Sequence, residues 1–64
     1  MKLIVTIPCY NEEKNLAAVI QEIPRRMPGI DTVEVLIIDD GSTDNTIQVA
    51  QQAGADYIIK NENV

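Results

Sequence analysis

The chain has 64 residues, 10 Asp and Glu against 5 Lys and Arg (formal net charge −5), 45% hydrophobic residues, and two tyrosines as its only aromatics. That is the composition of a globular segment, one small domain at most, and its acidic balance excludes the Lys/Arg face that nucleic acid or an anionic membrane surface requires. A single cysteine and no histidine exclude an internal disulfide, a cysteine-based zinc site and any histidine triad.

Residues 2–8 read as a strand, with Leu3, Val5 and Ile7 on one face and Ile4 and Thr6 on the other. Pro8 lacks an amide donor and is expected to close it. The opening apolar stretch is too short for a signal peptide, and no run approaches the ~20 residues of a membrane span. Asn11 is the expected N-cap of a first helix, with Glu12 and Glu13 in its first turn. Leu16, Val19, Ile20 and Ile23 then form one apolar stripe. Pro24 disfavours helical geometry at Ile23, and Pro28-Gly29 is a turn. Residues 33–39 form a second strand, almost continuously apolar, as suits a parallel strand covered on both faces. Gly41 breaks it. Ser42 is the expected N-cap of a second helix, with Asp44 in its first turn and Gly54 closing it after Ala53. Asp56 to Lys60 read as a third strand.

The order strand–helix–strand–helix–strand predicts an α/β fold. Right-handed crossovers give a parallel sheet of spatial order 3-2-1, half of a doubly wound sheet. Both helices then fall on one side. The opposite face, with Ile4, Leu36 and Ile38 or their alternates, is left bare, and strand 1 is an open edge. The expectation is one segment, residues 1–64, forming the N-terminal part of a larger α/β domain, or else a homo-oligomer through the sheet face or the strand edge.

Two polar clusters follow the carboxyl ends of strands 1 and 2: Pro8-Cys9-Tyr10-Asn11-Glu12-Glu13 and Asp39-Asp40-Gly41-Ser42-Thr43-Asp44. In open α/β sheets that edge binds ligands. Helix N-termini there suit a phosphate, and carboxylates suit ring N–H donors, ribose hydroxyls or a divalent cation. The blander readings are a turn with a cap for the second cluster, dipole partners for Glu12 and Glu13, and a lid for Tyr10. Adjacent acids at the end of a buried strand are less ordinary, because their repulsion needs compensation. Cys9, without a histidine partner, reads as a small buried thiol. A calcium loop starting at Asp40 fails, with Asn45 at the sharp-turn glycine position and Gln51 at the bidentate-glutamate position. No glycine-rich phosphate fingerprint is present.

The paired segments Ile7-Pro8-Cys9-Tyr10-Asn11-Glu12-Glu13 and Ile37-Ile38-Asp39-Asp40-Gly41-Ser42-Thr43-Asp44-Asn45-Thr46 resemble the opening of family 2 glycosyltransferases with the GT-A fold. Asn61-Glu62-Asn63 falls where that family runs into an Asn-x-Gly segment. Within the family the chain is most similar to the polyprenyl-phosphate sugar transferases of the dolichol-phosphate mannosyltransferase type. The resemblance implies a Rossmann-like nucleotide-sugar-binding segment. Pro8 and Tyr10 would pack on base and ribose, and Glu12 would reach the nucleotide. Ile38 would line the base pocket and Asp40 would accept from the base N–H, while Asp39 braces the loop from the other side of the strand. A carboxylate facing a ring N–H selects uracil or guanine over adenine or cytosine, whose corresponding nitrogen is an acceptor. The donor would be a UDP- or GDP-sugar, the acceptor a polyprenyl phosphate or a hydroxyl, and Mg²⁺ or Mn²⁺ would neutralise the diphosphate. The setting would be cytoplasmic, or the cytoplasmic face of a membrane through other segments. After Asp44 the only acids are Asp56 and Glu62, so the family's Asp-x-Asp metal motif is not in this chain. Half a donor site without catalytic residues is expected to be inactive alone. Two rivals are an acidic metal-binding module of the signalling-receiver kind and a non-catalytic interaction module. The receiver places its paired acids after strand 1, where Tyr10-Asn11 stand.

Overall fold

A computed structural model describes residues 1–61. The elements are β1 (Lys2–Cys9), α1 (Leu16–Glu22), β2 (Thr32–Asp39), α2 (Thr46–Ala53) and β3 (Tyr57–Lys60). The three strands form one parallel sheet with β2 in the centre, the expected 3-2-1 order. Lys2 pairs with Thr32 and Cys9 with Asp39 along the full length of β1. Leu36 pairs with Tyr57 and Asp39 with Lys60. No helix among the described residues is long and apolar enough to cross a membrane.

Period-two alternation decides which side of each strand meets the helices. Val33, Val35, Ile37 and Asp39 are buried, and Thr32, Glu34, Leu36 and Ile38 are not. Leu16 and Ile20 of α1 and Ala50 of α2 close over Val35 and Ile37, with Cys9 at the same core and Ile7, Ile23, Val49 and Ile58 around it. Each fully buried Ile or Val contributes about 1.5–3 kcal/mol relative to exposure. The other face carries no helix, and Ile4 and Ile59 remain 48% and 50% exposed on it.

Several boundaries differ from the sequence expectation, each for a physical reason. β1 runs through Pro8 to Cys9, because Pro8 lies on an edge strand where a missing donor disrupts no ladder. Asn11 is not a helix cap, since α1 begins after Asn15, and Glu12 and Glu13 precede it. Ser42 is not a cap either, because α2 begins after Asn45. Asp44 lies before that helix, and its carboxylate takes the Thr46 N–H at 2.9 Å and the Thr46 hydroxyl. Val19 is 44% exposed, at the margin of the stripe that buries Leu16 and Ile20. β3 starts at Tyr57, because Asp56 turns back on β2. Its N–H donates to the Val35 carbonyl at 2.9 Å, and its carboxylate accepts the Val35 N–H at 2.7 Å.

Two helix ends behave as read. Ile23 is extended (φ −72°, ψ 120°) before Pro24. Gly54 closes α2 at φ 101°, with the Gly54 N–H on the Gln51 carbonyl and the Ala55 N–H on the Ala50 carbonyl.

Candidate functional site

The cleft at the carboxyl edge is shaped by the loops that follow β1 and β2. The Asp40 N–H donates to the Cys9 carbonyl at 2.9 Å, which carries the pairing of the two strands one step past their ends. The chain then turns at Gly41, φ 84°. Asp39 and Asp40, adjacent in sequence, point to opposite sides. Asp39 is fully buried under the helices. It accepts the Ser42 N–H at 3.1 Å and the Ser42 hydroxyl, with the Cys9 sulfur 4.0 Å away. It therefore braces the loop. Asp40 is exposed.

Pro8, Cys9, Tyr10, Glu12 and Asp40 line a cleft of about 240 Å³. Four of the five positions expected to bind, Pro8, Tyr10, Glu12 and Asp40, thus surround one space. Ile38 does not line it. It is the cross-strand partner of Pro8 and stands beside it on the bare face. Tyr10 is 53% exposed, so its ring is free to meet a flat ligand. A larger depression, about 480 Å³, lies in the α1–β2 loop between Arg25 and Asp31, at the opposite end of the sheet, with no acid pair.

Cys9 is buried, and its thiol is pushed up from the ordinary value by burial first and then by the negative charges of Asp39, Glu12 and Asp44. A neutral thiol is a poor nucleophile. The Asp44 carboxyl is held below the ordinary range, chiefly by the Thr46 hydroxyl and then by main-chain donors.

Sequence reasoning missed what holds the two loops together. Asn11 stands at φ 52°, the only non-glycine residue with positive φ among the described residues. That conformation costs an L-residue roughly 1–2 kcal/mol, less for asparagine. Its N–H donates to Ser42 Oγ at 2.8 Å, and its Oδ1 accepts the Thr43 N–H at 2.9 Å. The Glu12 N–H reaches Thr46 Oγ1 at 2.9 Å, and the Glu13 N–H reaches Asp44 Oδ2 at 3.5 Å. In the structure Asn11 and Ser42 stand five and four residues before the first residues of the helices they were expected to cap, and each bonds within the loops instead.

Among the described residues no group of three or more Cys, Asp or Glu side chains is placed to hold a metal ion. The described residues thus do not by themselves fit an Mg²⁺ or Mn²⁺ site. Glu62 and Asn63 lie outside the described residues.

Comparison with known proteins points to one family. The sequence model of glycosyl transferase family 2 matches residues 4–64. The chain is 45% identical over 53 residues to the protein RfbJ of Shigella flexneri, covering 83% of this chain and 39% of that protein. It is 37% identical over 60 residues to dolichol-phosphate mannosyltransferase of Pyrococcus furiosus, covering 94% of this chain and 17% of the relative. Identity to human dolichyl-phosphate beta-glucosyltransferase is 38% over 68 aligned positions, covering 89% of this chain and 21% of the relative. The chain spans between 17% and 39% of the length of these curated relatives.

Proposed function

The chain belongs to glycosyl transferase family 2, and on that premise we propose that its carboxyl-edge cleft binds the nucleotide of a UDP- or GDP-sugar. One observation carries the reading. Pro8, Tyr10, Glu12 and Asp40 converge on one cleft, with Asp40 directed away from the buried brace that occupies Asp39. A base stacked on Tyr10 and Pro8 would present its ring N–H to Asp40, a charge-assisted bond that adenine and cytosine do not offer. Ile38, beside Pro8, would extend the apolar floor under the base. Glu12 would accept from ribose hydroxyls.

The acceptor we assign is a polyprenyl phosphate. The support is the activity named for two relatives, a dolichol-phosphate mannosyltransferase and a dolichyl-phosphate beta-glucosyltransferase. The Mg²⁺ or Mn²⁺ that would screen the diphosphate is assigned to residues other than those described, and the reaction to the cytoplasmic side. On this reading the 64-residue chain binds donor and does not transfer sugar.

The test is a titration of the chain with UDP, GDP and ADP followed by amide NMR. Shifts concentrated at residues 9–12 and 38–41 with UDP or GDP, and absent with ADP, are expected. Failure of both UDP and GDP to move those amides overturns the reading.

A further inference from the structure

The described residues include four with positive φ: Gly29, Gly41, Gly54 and Asn11. Glycine meets a left-handed backbone without strain, and three of the four positions use it. At residue 11 the chain instead carries a side chain that bonds the second loop: Oδ1 accepts the Thr43 N–H at 2.9 Å, while the residue's own N–H donates to Ser42 Oγ at 2.8 Å. Ser42 is in turn fixed by the buried Asp39. Asn11 is therefore tied through two bonds to a loop anchored in the core.

Its position gives that tie a consequence. Asn11 lies between Tyr10 and Glu12, which line the cleft from the first loop, and its partners Ser42 and Thr43 directly follow Asp40 and Gly41 in the second. Beyond it the Glu12 N–H reaches Thr46 Oγ1, so the tie begins a row of cross-loop bonds running toward α2. Strand pairing ends with the Asp40 N–H on the Cys9 carbonyl, so beyond that bond the placement of the Tyr10–Glu12 loop against the Asp40–Thr43 loop is set by these cross-loop bonds.

We propose that Asn11 is a positioning residue for nucleotide recognition, holding Tyr10 and Glu12 at the distance from Asp40 that one bound nucleotide spans. The role rests on the donor-site reading above. A ligand that contacts both loops binds more tightly when their separation is fixed beforehand, because less ordering remains to be done on binding.

The experiment compares the chain with Asn11→Gly and Asn11→Asp. Asn11→Gly keeps the left-handed backbone and removes the acceptor. Asn11→Asp keeps an acceptor oxygen at the same place. Affinity for UDP and GDP, and for the uncharged uridine and guanosine, is measured beside the melting temperature and the exchange rate of the Thr43 amide. The nucleosides carry no phosphate, so repulsion between the added carboxylate of Asn11→Asp and the phosphates of UDP and GDP does not enter their affinities. Asn11→Gly is expected to keep its melting temperature within a few degrees, to speed Thr43 exchange and to weaken nucleotide and nucleoside binding about five- to tenfold, the scale of one lost hydrogen bond. Asn11→Asp is expected to keep Thr43 protected and to retain nucleoside affinity. Faster Thr43 exchange with unchanged affinity in Asn11→Gly overturns the positioning role and leaves the donor site standing. An original chain that binds none of the four ligands overturns the donor-site reading, and the positioning role with it.

Discussion

The two ends of the sheet hold their acids in opposite ways. At the amino end Asp56 is matched by a cation. Arg25 Nη1 lies 2.8 Å from its carboxylate and also donates to the Val33 carbonyl at 3.0 Å, while Nη2 donates to the Gly54 carbonyl at 2.8 Å. The remaining ion pairs among the described residues, Met1–Asp31 and Lys2–Glu34, lie at this end too. At the carboxyl end Asp39 and Asp44 are held by neutral donors alone, chiefly the Ser42 and Thr46 main-chain and hydroxyl groups, with the Glu13 N–H and the Cys9 thiol beside them. Glu12 and Asp40 stand beside them on the cleft. The amino end pairs its acids with cations. The carboxyl end keeps net negative charge, which a ligand bringing N–H and O–H donors would relieve.

The largest effect should come from the buried acid at the carboxyl end. Asp39→Ala leaves the Ser42 N–H and hydroxyl without their acceptor under the helices. A loss of about 2–4 kcal/mol is expected, since buried unpaired donors carry their full desolvation cost. Urea unfolding measures it. A loss under about 0.5 kcal/mol, typical of surface sites, would break the contrast by showing that the loop is not braced there.

Arg25→Ala should cost less, about 1–2 kcal/mol, although it removes three contacts. The guanidinium is 40% exposed and its carboxylate partner 33%, so the ionic part is weakened by solvent. Two of the three contacts go to neutral carbonyls, and most of the loss should persist in 1 M salt. A loss that disappears at high salt would show that the clamp is an ion pair and little else.

The contrast between the ends also marks what could be read beforehand. Element order followed from the apolar runs 2–8 and 33–39 and the stripe Leu16, Val19, Ile20 and Ile23, and strand order and the bare face followed from the handedness of parallel crossovers; the one-sided burial of 33–39 was hidden by its nearly continuous apolar character. The closing roles of Gly54 and Ile23 were legible as well, since backbone restriction by glycine and proline is local. The clefted edge was legible only in part. Pro8, Tyr10, Glu12 and Asp40 were named and do converge, and Asp39 does brace the loop. The Asn11 and Ser42 assignments failed for one shared reason. Ser, Thr, Asn and Asp side chains bond either to the nearest helix or to another loop, and only the tertiary arrangement selects which. The Arg25–Asp56 clamp joins residues 31 apart and carries no local signal at all.

The smallest expected effect is the most discriminating between the two ends. The Asp56 carboxyl is held below its ordinary value, first by the Val35 N–H and then, against the opposing effect of burial, by the bond and charge of Arg25. The Asp44 carboxyl is held low by the Thr46 hydroxyl and main-chain donors, with no cation. A folded-state pKa below the unfolded one gives stability that is present above the ordinary carboxylate value, about 3.9, and is lost as pH falls through the depressed value. Stability should therefore be level from about pH 7 to 5 and fall below about 4. Asp56→Asn and Asp44→Asn should each flatten part of that fall. Salt should then separate them. Added salt screens the share of the Asp56 effect owed to the charge of Arg25, whereas the Asp44 effect, made by short bonds to neutral donors, should barely change. Urea midpoints of both variants and the original chain, taken from pH 6 to 2 at low and high salt, measure this. Equal salt sensitivity of the two variants would mean that the ends do not differ in how they hold their acids.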